Sequence, residues 1–296
     1  MAAPAKSDAG QMTADEDVES AHRPLSAEDE AIRALRMRTA RREITERRRT
    51  AHRLRQAMQQ DGLLLLYQPQ IHLKSGLVRG AEAMLRLQHR RRGLILPQHF
   101  MPMAERSEVV NEIGAWVLNV ACQEAMSWPA RLSVAMSLSH RQLQSGRLIK
   151  TVIDVLSRTG MPGERIEVQL TEAILADDDE DTVFNLRALR GLGMRLTADH
   201  FGMGKASLAV LKRMPVSMLK LDRSMIHAMG RDDGDVALVR AAIDAGHALG
   251  CMILADGVES EFQCRLLEEL GCDEAQGGYF CPPVPAAEFL AKLNPD

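Results

Sequence analysis

From about residue 130 onward the chain repeats one unit. A short apolar run stops at a polar or acidic residue, and a stretch with helical spacing follows and closes on glycine. The apolar runs are Leu132–Leu138, Ile166–Leu170, Met194–Ala198, Met218–Leu221, Cys251–Ala255 and a short one near Ala275. Thr182–Leu192, Asp235–Leu249 and Glu259–Leu270 read as helices, and Gly193, Gly250 and Gly271 each follow one, where a left-handed residue ends a helix. Such alternation predicts a parallel sheet with right-handed crossovers. Ahead of it, Leu63–Pro69 and Leu77–Leu87 read as strands joined by Lys74-Ser75-Gly76, a connection short enough for an antiparallel pair. A long loop with basic residues from His89 to Arg92 and a helix from about Asn111 to Ser127 come between. Eight strands over residues 62–296 fit an α/β fold of the (β/α)8 barrel type, with the opening hairpin as a departure from the regular form. The alternative is an open doubly wound sheet, which usually has fewer strands; no dinucleotide glycine fingerprint is visible.

The core of such a barrel must be aliphatic. Of 296 residues 46% are hydrophobic but only 3% aromatic, and 17 methionines are available to fill irregular gaps. No apolar run approaches the ~20 residues of a membrane span, and the N-terminus lacks the apolar centre of a signal peptide. Five cysteines, an odd number without a CxxC pair, fit a reduced, cytoplasmic setting. The net charge of −3 is unevenly spread: residues 1–30 hold eight acids and two bases, and residues 31–60 hold ten arginines and two glutamates. Residues 1–25 are expected to be a disordered acidic tail. Residues 26–61 read as a charged helix capped by Ser26 with Asp29 at the third position, and 62–296 as the barrel. That helix suits solvent, dimerisation, a protein partner, or contact with phosphate or membrane. No nucleic-acid-binding motif is visible, and the whole chain is not basic.

In a barrel, chemistry collects where strands end. The ends read Glu82, Ser137, Glu172, Asp199 with His200, Lys220 with Asp222, Asp256 with Glu259, and Gln276. Carboxylates gathered at one mouth repel one another and call for cations. Mg²⁺ or Mn²⁺ suit oxygen ligands, and Lys220 adds a charge or a proton. Such a mouth suits phosphoester hydrolysis. The remaining candidates are bland. His72, His89, His99, His140, His227 and His247 show no metal spacing, and Asp177–Asp181 reads as a solvated acidic helix start.

The ordered segments Tyr67-Gln68-Pro69, Glu82-Ala83-Met84-Leu85-Arg86, Leu170-Thr171-Glu172, Asp199-His200-Phe201-Gly202, Leu219–Ser224, Ala255–Glu259 and Gly271–Gly277 resemble the EAL family over roughly residues 62–292. That family comprises cyclic di-GMP phosphodiesterases and their non-catalytic relatives. The resemblance implies a TIM-like barrel with one antiparallel strand. It implies metal positions at Glu82, Ser137, Glu172, Asp199 and His200, catalytic positions at Lys220 and Asp256, and ligand contacts at Gln68, Arg86, Asp222, Glu259 and Gln276.

The departures from the family pattern bear on function. Met84 replaces the leucine of Glu-Ala-Leu, a mild change of volume. Ser137 stands for an asparagine ligand and is a shorter, weaker donor. His200 replaces the second of two aspartates, which removes a charge and favours softer metals than Mg²⁺. Asp256 replaces a glutamate near the catalytic water and withdraws the carboxylate by about 1.5 Å; a shift of about 1 Å can cost ~100-fold in rate. The loop Phe201–Ser207 also differs from the family's. Three readings follow: a cyclic di-GMP receptor with weak or lost hydrolysis, an active metal-dependent phosphodiesterase yielding the linear dinucleotide, or a protein-interaction regulator that binds no nucleotide. The receptor would need no metal. A homodimer or protein partner would meet the 26–61 helix or the barrel.

Overall fold

The structure, a computed structural model, describes residues 27–60, 62–177, 179–202, 208–230 and 232–293. The expected acidic tail 1–25, the Ser26 cap and the loop residues Met203–Ser207 lie outside these. The chain divides into two units, residues 1–48 and 49–296. Helix α1, Ala27–Gln59, runs from the first into the second.

In the larger unit the strands are β1 (Leu63–His72), β2 (Val78–His89), β3 (Gly93–Ile95), β4 (Ser133–Leu138), β5 (Ile166–Leu170), β6 (Arg195–Phe201), β7 (Met218–Leu221), β8 (Met252–Asp256) and β9 (Glu274–Gln276). They follow the order β1-β9-β8-β7-β6-β5-β4-β2-β3, and β1 also pairs with β2. Eight strands therefore close a ring, with β3 appended to β2 alone. Every pairing from β2 through β4 round to β9 is parallel, while β1 is antiparallel to both neighbours. This is the TIM-like barrel with one antiparallel strand. The expected hairpin is its odd strand, in register from Leu63 opposite Leu87 to Pro69 opposite Ala81.

The remaining helices are α2 (Met101–Ala104), α3 (Val109–Ala125), α4 (His140–Leu143), α5 (Leu148–Thr159), α6 (Glu172–Leu175), α7 (Glu180–Gly191), α8 (Leu208–Arg213), α9 (Arg223–Ala228), α10 (Asp233–Ala248), α11 (Glu261–Glu269) and α12 (Ala286–Leu293). Gly193, Gly250 and Gly271 have φ of 89°, 74° and 79°, the left-handed geometry that stops α7, α10 and α11. The structure departs from the sequence reading at His89–Arg92. That stretch is the turn of a second hairpin, from which β3 runs back along β2 from Leu87 to His89.

Strands β5 and β7 are buried at every position, as expected where helices cover one face and the barrel interior the other. Aliphatic and methionine side chains make up most of the main core, with an aromatic nest of Tyr67, Trp128 and Phe289, all nearly or fully buried. Trp128 stands edge-on to Tyr67 at 5.1 Å and lies 4.7 Å from Phe289. Tyr67 and Val284 exchange backbone hydrogen bonds, which seals this corner with β1. A second cluster joins Ala51 and Leu54 of α1 to Leu63, Phe100, Ala104 and the start of α3. The last turns of α1 thus belong to the barrel unit.

Candidate active site at the barrel mouth

Because β2 and β4 through β9 all run one way, their carboxyl ends share one rim. Beside it lies a cavity of about 810 Å³, lined by Glu82, Arg86, Ser137, Asp199, Lys220 and Asp256 among others. At its base is a tight polar knot. Lys220, 3% exposed, donates from Nζ to Glu82 Oε2 at 2.7 Å and to Gln169 Oε1 at 3.5 Å, and stands 3.7 Å from Asp199 Oδ1. Gln276 donates from Nε2 to the same Glu82 oxygen at 2.6 Å and to Asp256 Oδ1 at 2.9 Å. Its own Oε1 accepts from Gln70 Nε2 at 3.2 Å.

The electrostatics follow from that packing. Burial works to raise the Glu82 carboxyl, but the Lys220 charge and hydrogen bonds from Gln276, Lys220 and Gln169 outweigh it and hold the group ionised. Burial works to neutralise Lys220. The charges of Glu82, Asp199 and Asp256 reverse that and keep it an ammonium well past its ordinary value. Three carboxylates thus face one fully buried cation.

His200 is placed by a local irregularity. The pairing of β6 with β7 shifts between Ala198 and Phe201, and His200 takes φ of 60°, rare for a residue with a side chain. Its backbone N–H donates to Asp199 Oδ1 at 2.9 Å. Its Nδ1 lies 2.7 Å from Asp222 Oδ2, and its Nε2 lies 3.7 Å from Asp199 Oδ2. Asp222 caps α9 and accepts from the Ser224 backbone and hydroxyl at 2.9 and 2.6 Å. Burial opposes its ionisation, but the Ser224 bonds and His200 prevail and lower it.

The other expected residues divide. Ser137 is exposed to the cavity from β4. Glu172 opens α6 two residues beyond β5. Arg86 sits half-buried on the wall, its Nη1 donating to the Leu85 carbonyl at 2.8 Å; burial lowers its pKa, opposed by the Glu82 charge. Gln68 is buried outside the lining, and its amide donates to the Cys281 carbonyl at 3.2 Å. Glu259 is exposed outside the lining, 3.2 Å from His227. The sequence reading passed over Gln169 and Gln70, which hold Lys220 and Gln276, and Arg223, whose Nη2 lies 3.9 Å from Asp256. Alternation was the available signal: Glu167 and Gln169 interrupt Ile166, Val168 and Leu170 at every second residue, the period of a strand.

The model of the EAL domain matches residues 51–283. The chain belongs to the EAL domain family. It is 36% identical over 246 residues to the bifunctional diguanylate cyclase/cyclic di-GMP phosphodiesterase MucR of Pseudomonas aeruginosa, covering 82% of this chain and 36% of that one. It spans about a third of the length of the curated relatives it matches. Among solved structures it resembles the MucR phosphodiesterase in complex with cyclic di-GMP, with a TM-score of 0.78 and 36% identity over 82% of this chain and all of that one. It also resembles the Xanthomonas citri FimX EAL domain in complex with cyclic di-GMP, with a TM-score of 0.73 and 25% identity over 83% of this chain and 97% of that one.

EAL domains are generally metal-dependent phosphodiesterases. In this EAL domain the described donors do not fit a divalent cation as they stand. Among the described residues no three His, Cys, Asp or Glu side chains are arranged to hold a metal ion. Glu82 is engaged by Lys220 and Gln276, and Asp199 faces Lys220. Ser137 offers only a neutral hydroxyl. Among the described residues no helix is long and apolar enough to cross a membrane.

Proposed function

We propose that this EAL domain is a cyclic di-GMP receptor with weak or lost phosphodiesterase activity. The observation that carries the reading is the bonding of Glu82, whose Oε2 accepts from both the Lys220 ammonium and the Gln276 amide. The positive charge among these acids is the protein's own. The three changed positions, Ser137, His200 and Asp256, act in the same direction. A neutral hydroxyl, an imidazole bonded to Asp222 and a shortened acid are each poorer for holding metal or guiding water than the family's residues.

The pocket itself suits a nucleotide. A volume of about 810 Å³ falls within the roughly 300–1,000 Å³ of small-molecule sites. Arg86 on its wall meets a phosphate with a forked guanidinium. The resemblance to the family adds Gln68, Asp222, Glu259 and Gln276 as ligand contacts; all four stand outside the cavity lining, with Gln276 bonded to Glu82 and Asp256 of that lining. Five unpaired cysteines suit a reducing, cytoplasmic setting.

The second reading, an active phosphodiesterase using Mg²⁺ or Mn²⁺, is favoured by the 36% identity to MucR. Calorimetric titration of cyclic di-GMP in Ca²⁺, followed by incubation in Mg²⁺ or Mn²⁺ with chromatography of the product, separates the two. We expect micromolar binding without turnover. We also expect Ser137→Asn/His200→Asp/Asp256→Glu to gain hydrolysis by at least about 100-fold. Turnover by the unaltered chain that Glu82→Ala abolishes would make it an enzyme. No binding under any metal would leave the protein-interaction reading.

A further inference from the structure

Helix α1 carries more positive charge than its own acids offset. Between Arg33 and Arg48 lie seven arginines, no lysine and two acids, Glu43 and Glu46. Among the described residues this stretch forms one ion pair, Arg42 Nε to Glu46 Oε1 at 3.5 Å, both side chains exposed. Arg33, Arg36, Arg38, Arg41 and Arg48 are exposed and have no charged partner among the described residues. Arg33 with Arg36, and Arg38 with Arg41 and Arg42, stand three or four residues apart, where like charges oppose the helix. A partner that supplies negative charge along the whole stretch removes that opposition.

The chemistry of the stretch narrows the partner. Met37 and Ile44 share one side of the helix, but Leu35 falls on another, and all three are exposed at 55%, 47% and 66%. There is no continuous apolar face for insertion at a lipid interface. At 1.5 Å per residue, Arg33 to Arg48 spans roughly 22 Å, and its seven arginines, one to five residues apart, lie on several sides of the helix. A nucleic acid, with a phosphate at every nucleotide, meets several of them at once. Arginine's planar fork matches a phosphate, whereas lysine offers a point charge. The stretch lacks Asn and Gln, and its two threonine hydroxyls donate to backbone carbonyls, Thr39 to Leu35 at 3.0 Å and Thr45 to Arg41 at 2.9 Å. Apart from the arginines, which also meet phosphates, little is left to read base edges.

We propose that residues 33–48 form a binding site for the phosphodiester backbone of a nucleic acid, engaged without regard to base sequence. The stretch carries +5, from seven arginines and two glutamates, so the rest of the −3 chain carries −8. That remainder offers a polyanion no net attraction.

The test is fluorescence anisotropy of the full chain with a labelled 20-nucleotide RNA, repeated with a second unrelated sequence, between 50 and 200 mM salt. Both sequences are expected to bind alike, with a slope of log affinity against log salt of about −3 to −5. Arg33→Gln/Arg36→Gln/Arg38→Gln/Arg41→Gln should weaken binding at least tenfold and leave cyclic di-GMP binding unchanged. Glutamine is a good helix former, and circular dichroism of the variant checks that the helix persists. Absence of binding at 50 mM salt overturns the proposal, as does affinity that the four substitutions leave unchanged. Binding to phosphatidylglycerol vesicles in place of RNA overturns it too and assigns the helix to a membrane surface.

Discussion

Lys220 is the residue on which the mouth most depends. Among the described residues it is the only buried cation beside Glu82, Asp199 and Asp256, and its removal leaves the largely buried Glu82 without a counter-charge. Lys220→Met is therefore expected to cost about 3–5 kcal/mol of stability, read as a fall in the urea midpoint. The double variant Lys220→Met/Glu82→Gln should recover part of it. A different pair of acids governs the response to pH. Glu167 and Glu274 are 1% and 2% exposed. Thr197 donates to Glu167 at 2.8 Å, while Glu274 feels the charges of Arg195 and of Arg79 at 3.7 Å and keeps a buried oxygen without a hydrogen bond. Burial, with the Glu167 charge, pushes Glu274 up to about 7, and burial raises Glu167 as well. Folding therefore favours the protonated form of Glu274. Its contribution is complete below the ordinary carboxylate range, declines as pH rises toward about 7, and is flat above. Urea unfolding at pH 5, 6 and 7 should show falling stability, and Glu274→Gln should flatten the fall.

Among the elements, the end of β9 shows how closely the site depends on backbone fit. The Gln276 carbonyl accepts from Gly257 and Val258, both at 3.0 Å. A Cβ on Gly277 would lie 2.1 Å from the Val258 carbonyl oxygen, a distance no relaxed structure allows. Gly277→Ala is expected to cost about 1–3 kcal/mol and to weaken cyclic di-GMP binding with it, since Gln276 must move; thermal unfolding and calorimetry together check this. The repeated strands and C-terminal glycines were legible in the sequence, because helices and buried strands have distinct periods and a left-handed stop favours glycine. Strand β3 was not legible, since three residues paired only to the overhanging end of β2 carry no period of their own. The polar residues at strand ends could be read in order, but their partners could not. Glu82 bonding to both Lys220 and Gln276 is a matter of register around a closed ring, as is the left-handed turn that brings His200 to Asp222.

At the scale of the whole molecule the boundary at Arg48/Arg49 makes a clear prediction. Leu54 is 2% exposed and Ala51 7% exposed, packed with Leu63 and α3, and both lie after that boundary. Deleting residues 1–48 should leave the thermal midpoint and cyclic di-GMP affinity of the barrel unchanged. Deleting 1–59 should cost at least the ~2–5 kcal/mol of a buried leucine. The closed ring also has a consequence for synthesis. Glu82 meets Gln276 across 194 residues of chain, and β1 waits for β9 before its second edge is paired. At roughly 5–20 residues per second, translation takes about 10–40 s to travel from one partner to the other. Throughout that interval the nascent chain holds an acid without its amide and a sheet with an open seam. The mouth is therefore completed at once, when β9 has been made, and a ribosome stalled before Gln276 displays most of a barrel with no finished mouth.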